Sequence, residues 1–333
     1  MSRLHFLFGF VFLFCGAGLV RAQTALPLRA DSVSLRAIAR DAAWQQGRAQ
    51  ITWQVQELST VSAIESVAAG SALAAFSSRG QHAANPKEAG LVFEPLAWDG
   101  IVAIVHPGNP VAALSLRELR DIYAGKIKTW DQIGGRAQPI HLNVVAGPLD
   151  GIEYGLRRAL FGRGQAAVAA ERWYLNTEQL EASIAIDPNG IAVSALSSAM
   201  ANPRIKRLAL EGVSASPATV QSLEYLLVTP IYLVHRLGVE NDPAIISLRT
   251  LLQSPDFIRR TMTAHHLLPV GAAAPLNEAY ALREQQLLEL LESPAAPAAA
   301  ATVNLATASP VESSAAGAKE TAPVVEVEAK TGQ

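Results

Sequence analysis

The chain has 333 residues, with 27 lysines and arginines against 29 aspartates and glutamates, for a formal net charge of −2. That near-neutral balance argues against a nucleic-acid partner, which needs a clustered basic face. There is one cysteine, Cys15, and it lies so early that the body of the chain has no disulfide, thiolate metal site or cysteine nucleophile.

Arg3 and His5 precede an apolar run from Phe6 to Val20, which closes on Val20-Arg21-Ala22 before Gln23. A positive start, a short apolar stretch and small residues at the −3 and −1 positions predict a secretory signal over 1–22, cleaved after Ala22. The run falls short of the about 20 residues that a membrane anchor needs. Cys15 follows Phe12-Leu13-Phe14, whereas lipid attachment would want small residues there. The mature chain is therefore expected in the periplasm or secreted, with no later segment able to span a membrane.

Roughly 270 residues then lie before a tail, enough for one large or two modest domains. Ile51 to Val55 alternates like a strand, and Val61 to Ala69 reads as a helix stopped by Gly70. Gly100 to Val105 is a continuous apolar run, as in a strand buried on both faces. His141 to Val145 is a further strand, and Tyr225 to Val234 another, bent or interrupted at Pro230. Helical patterns separate them at Ser115–Tyr123, Ile152–Leu160, Thr177–Ala185, Ala244–Leu252 and Pro255–Thr263. This alternation predicts a largely parallel sheet covered by helices. Leu276 to Leu291 reads as an amphipathic helix that packs on the body or meets a partner. From Ser293 the composition turns to Ala, Pro, Val, Thr, Ser and Glu without periodicity, which predicts a disordered tail over 293–333.

Catalytic and cofactor signatures are absent: there is no Gly-x-Ser-x-Gly elbow, Walker loop or His-Glu-x-x-His. Gly162-Arg163-Gly164-Gln165-Ala166-Ala167 follows a helix pattern rather than a strand, so it reads as a loop and not as a dinucleotide turn. His265-His266 lacks a further ligand at chelating spacing. No metal, cofactor or enzymatic activity is expected.

The specific signal is the block from Trp98 to Gly135. Trp98-Asp99-Gly100-Ile101-Val102-Ala103-Ile104-Val105-His106-Pro107-Gly108-Asn109-Pro110 runs into Leu116-Arg117-Glu118-Leu119-Arg120-Asp121-Ile122-Tyr123-Ala124-Gly125-Lys126-Ile127 and then Trp130-Asp131-Gln132-Ile133-Gly134-Gly135. Ser115 can cap the helix with Glu118 at the capping-box position, and Gly125 can supply the turn that ends it. The block resembles the phosphate-binding (PstS-like) subgroup of periplasmic substrate-binding proteins of ABC importers. Asp187-Pro188-Asn189-Gly190, the Tyr225–Leu233 strand and Leu268-Pro269-Val270 extend the resemblance over about Leu28 to Gly271.

The resemblance implies a two-lobed α/β fold of the type II periplasmic-binding-protein class, with hinge crossings near Ala103 and Pro230. Lobe 1 would comprise 23–103 and 230–275, lobe 2 would comprise 104–229, and a C-terminal helix would follow at 276–292. It implies a small anionic solute, phosphate or another oxyanion, held at helix N-termini, with ABC permease subunits as partners. Candidate ligand residues are Ser32, Ser34, Ser59, Thr60, Ser78 and Arg79 in lobe 1, and Asp150 and Gly151 in lobe 2. Arg79 is the candidate anion grip.

One element departs from the pattern. Where the family carries Arg-x-x-x-Ser-Gly-Thr, this chain has Ala146-Gly147-Pro148-Leu149-Asp150-Gly151-Ile152. Only Gly151 is kept, and Asp150, expected to cap its own helix, brings a carboxylate to donors that a phosphate needs. The expectation is an altered or weakened ligand site. The alternative is a non-transport periplasmic scaffold or sensor that uses the same fold for protein contacts.

Overall fold

The computed structural model describes residues 25–40, 51–147 and 149–293. The signal expected at 1–22 and the tail from 294 onward lie outside the described residues.

Strand β1 (Leu26–Ala30) runs into α1 (Ser32–Ser34), which continues in wider π geometry over Leu35–Ala39. Strand β2 (Trp53–Glu57) leads to α2 (Thr60–Ala68), and β3 (Ala74–Ser77) follows. The apolar run at Gly100–Val105 proves to be the end of one 15-residue strand, β4 (Leu91–Val105). After a short β5 (Ala113–Leu114) comes α3 (Leu116–Tyr123) with the predicted capping box: Ser115 accepts from Glu118 N, and the Glu118 carboxylate accepts from Ser115 N at 2.7 Å. Gly125 just beyond it has φ +72°, the left-handed turn that frees the chain from the helix. Trp130 is buried beneath the loop, with its indole N–H donating to Asn189 O at 3.0 Å.

Next come β6 (His141–Val145), α4 (Gly151–Phe161), β7 (Arg172–Tyr174), α5 (Thr177–Ile184), β8 (Gly190–Ala195) and α6 (Leu196–Ala201). Short β9 (Lys206–Arg207), β10 (Ala209–Leu210) and α7 (Pro217–Gln221) precede β11 (Val228–Arg236). The chain then forms α8 (Pro243–Gln253), α9 (Pro255–Phe257, passing into π geometry at Ile258–Thr263), β12 (Leu268–Pro269) and α10 (Ala274–Glu292).

The strands order β2-β1-β3-β11-β4-β8-β6-β7, with β9 and β12 also on β4. The pairs β1–β2, β1–β3, β6–β7 and β6–β8 are parallel, as the βα alternation predicts. The centre departs from the largely parallel expectation. β4 and β11 are antiparallel to each other, β11 is antiparallel to β3, and β4 is antiparallel to β8. The reason is that two strands must cross between the halves of the sheet in opposite directions. β4 pairs with β11 up to Gly100 and with β8 from Ile101 onward. Pro230 stays inside β11, and the register shifts beside it between Ile231 and Tyr232.

Each half has its own apolar core. Leu28, Phe76, Leu233, Leu248 and Phe257 fill the first; Ile104, Leu119, Tyr123, Leu156 and Ile191 fill the second. Helix α10 joins the second core through Leu276, Leu287 and Leu291, leaving Leu282 and Leu290 exposed. Among the described residues, no helix is long and apolar enough to cross a membrane.

Candidate ligand cleft

Three segments from the first half and two from the second meet around a cavity of about 430 Å³. β1 delivers Asp31 and Ser32 at the start of α1, β2 delivers Ser59 and Thr60 at the start of α2, and β3 delivers Ser78. From the other side come Asp150 and Gly151 at the start of α4, and Asn176 and Thr177 at the start of α5. Helix starts expose N–H groups without intrahelical partners and favour negative charge.

Here that charge comes from the chain itself. Asp31 is buried, and its Oδ1 accepts from Ser34 N at 2.8 Å, capping α1. Its Oδ2 accepts from Thr60 Oγ1 at 3.1 Å, Ser78 N at 2.6 Å and Ser78 Oγ at 2.8 Å. One carboxylate thus gathers donors from three segments. Asp150 completes the arrangement from the opposite wall. It stands at the N-cap position of α4, but its side chain makes no hydrogen bond to that helix. This corrects the expectation of a local cap. Its Oδ1 instead accepts from Thr60 N at 2.8 Å, capping α2 across the cleft, while Gly151 N donates back to Thr60 Oγ1 at 3.1 Å. Burial pushes the Asp150 carboxyl up; Asp31 adds to this, while hydrogen bonds from Thr60 and the charge of Arg79 oppose it without cancelling it.

Of the candidate residues, Ser32, Ser59, Thr60, Ser78, Asp150 and Gly151 line the cavity together. The Ser59 side chain caps α2, accepting from Ser62 N at 3.1 Å. Ser34 is buried behind the wall and contributes its amide to Asp31. Arg79 does not line this cavity but borders a neighbouring one of about 240 Å³. Its guanidinium pairs bidentately with Glu88, at 3.1 and 2.8 Å, and its Nε donates to Leu149 O at 2.8 Å. Burial pushes the Glu88 carboxyl up, but hydrogen bonds from Arg79 and His82 N outweigh it, so the group titrates below its ordinary value.

Sequence reasoning missed Asp31 as a central group, and it missed Glu57, Glu153 and Asn176 in the lining. Asp31 and Asn176 each precede a helix start, a cap pattern legible in sequence; both side chains accept from the third residue on, Ser34 N and Gln179 N. The lining holds four carboxylates, Asp31, Glu57, Asp150 and Glu153, and no lysine, arginine or histidine among the described residues.

The family profile of the PBP superfamily domain matches residues 32–239. The chain belongs to the PBP superfamily. It is 26% identical over 182 residues to the phosphate-binding protein PstS of Bacillus subtilis (strain 168). That alignment covers 54% of this chain and 58% of the relative, so the match spans little more than half the relative's length. Among solved structures, a Clostridium perfringens protein, described as a phosphate ABC transporter substrate-binding protein with bound phosphate, aligns with TM-score 0.68 at 20% identity. It covers 74% of this chain and 100% of that one. An ABC-type phosphate transport receptor from Vibrio cholerae aligns with TM-score 0.58 at 19% identity, covering 73% and 99%. At these identities the likeness establishes the fold, the two-lobed type II form of this superfamily.

Gly151 marks how closely the walls approach. A Cβ there would lie 2.2 Å from Ser78 Oγ and 3.2 Å from Thr60 Oγ1. Gly151→Ala is expected to cost about 1 to 3 kcal/mol by overpacking, read as a lower urea midpoint. An unchanged midpoint would show that the walls part freely at this position.

Proposed function

We propose that the chain is an extracytoplasmic solute receptor of the phosphate type, serving an ABC importer, with an altered ligand site. The observation that carries this is the convergence of helix starts from both sides of the sheet on one cavity, at the place where this fold crosses between its halves. The names of the relatives support the solute class, and permease subunits are the expected partners. On this reading residues 1–22 are an export signal cleaved after Ala22, and the protein works in the periplasm or outside the cell. Lobe 1 comprises 23–103 and 230–275, and lobe 2 comprises 104–229; they close on solute by a hinge motion. The chain binds and delivers rather than catalyses.

The altered site follows from the two internal carboxylates. Asp31 and Asp150 already take Ser34 N and Thr60 N at the starts of α1 and α2, and no cation in the lining balances an incoming anion among the described residues. A thermal-shift titration of the mature chain with phosphate, sulfate, carboxylates and amines tests the reading. A solute at one hundred times its dissociation constant adds about 2.7 kcal/mol of stability, so one saturable shift is the expected result. No saturable shift with any solute of the panel would remove the receptor reading.

A further inference from the structure

We propose that Asp150 sets the specificity of this cleft by acting as its built-in occupant. What the cleft is for rests on the receptor reading above; the bond that fills it does not. Asp150 Oδ1 lies 2.8 Å from Thr60 N, the first residue of the nine-residue helix α2. Amides at such a position lack intrahelical partners and attract anions. The Asp150 side chain makes no bond to its own helix, α4, whose first amide, Gly151 N, donates to Thr60 Oγ1 instead. The Thr60 hydroxyl in turn donates to Asp31. The carboxylate therefore sits between two helix starts from opposite walls, where a free oxyanion would bridge them, and Thr60 N, Thr60 Oγ1 and Gly151 N are each already bonded within the chain.

A free oxyanion would have to displace Asp150 and then lie against Asp31, Glu57 and Glu153. Arg79, the one cation that sequence placed near the seat, is spent on Glu88, Gly80 O and Leu149 O. The same carboxylate both rejects oxyanions and fastens the walls together without solute. A short neutral side chain at this position empties the seat while leaving Thr60 N and the α4 start in place.

The experiment compares the wild-type chain with Asp150→Ser and the near-isosteric Asp150→Asn. Inorganic phosphate is titrated into each by calorimetry, and amide exchange at Thr60 is followed with and without phosphate. Asp150→Ser, which empties the seat, is expected to bind phosphate at least tenfold more tightly than wild type, and Asp150→Asn, which removes the charge but still fills the seat, more tightly than wild type by a smaller factor. In Asp150→Ser the Thr60 amide should exchange at least tenfold faster, and phosphate should restore its protection. If the serine variant does not fold, Asp150→Asn decides on affinity alone. Equal phosphate affinity in wild type and variants, or unchanged Thr60 exchange in Asp150→Ser, would overturn the proposal. Exchange reports on the bond itself, so its failure is distinct from failure of the receptor reading, which the solute panel on wild-type protein decides.

Discussion

Replacing Arg79 with alanine is expected to destabilise the protein by about 3 to 5 kcal/mol, the cost of stranding a buried partner charge. Arg79 and Glu88 are each 1% exposed. The Glu88 carboxylate also accepts from His82 N at 2.8 Å and Asn85 Nδ2 at 2.9 Å. Those donors keep the carboxylate in its buried place after the guanidinium is gone, and no other cation reaches it among the hydrogen bonds and ion pairs of the described residues. The loss is compounded on the far side, because Arg79 Nε bonds Leu149 O in the loop before α4. Replacing both residues by leucine should cost less than Arg79→Ala, since a paired removal leaves no uncompensated charge. Urea unfolding of the single and double variants checks this. If Arg79 served chiefly to grip a solute, Arg79→Ala would leave the stability of the solute-free protein unchanged and alter only its response to ligand.

The parts of this molecule legible in sequence are those whose causes are local. The capping box at Ser115 and Glu118 spans three residues, and the Gly125 turn spans one. The Ile101–Val105 run declares itself because both of its faces are buried. The same strand's first half, Leu91 to Leu96, is only partly buried and carries Pro95, so neither period nor apolar run marks it. The candidate site was legible as positions but not as bonds. Thr60, Ser78, Asp150 and Gly151 line one cavity, yet Asp31 finds Ser78 across 47 positions and Asp150 finds Thr60 across 90. A cap residue read from sequence is assigned to its own helix, because the local bond needs no tertiary knowledge. Arg79 shows the same limit. Its charge suggested an anion site, while its partner, Glu88, lies nine residues on, at the end of a single 3-10 turn over Pro86–Glu88.

Acid should stabilise the protein between about pH 4 and pH 6 through Asp99, and Asp99→Asn should remove that gain. Asp99 lies in β4 beside the point where the strand changes partner, and it is buried there. Burial pushes its carboxyl from the ordinary 3.8 up to about 6, although Ser197 N and Oγ and the amides of Gly100 and Leu196 donate to it and pull the other way. A carboxyl raised in the folded state holds its proton where the unfolded chain has lost it. The stability this confers is complete below the ordinary value and is lost as pH rises through the folded one. The difference is on the order of 3 kcal/mol. Glu153 acts in the same direction, because burial outweighs its pairing with Arg157. Glu88, Glu94 and Asp187 act in the opposite direction, each held below its ordinary value by a cationic partner. Their contribution is present above the ordinary carboxylate range and is lost only at lower pH, so the two groups separate in pH. Urea midpoints of wild type and Asp99→Asn from pH 4 to pH 8 read the effect. Wild type should lose stability across pH 4 to 6 and the variant should lose markedly less; parallel curves would mean that the Ser197 hydrogen bonds at the start of α6 already offset the burial of this carboxylate.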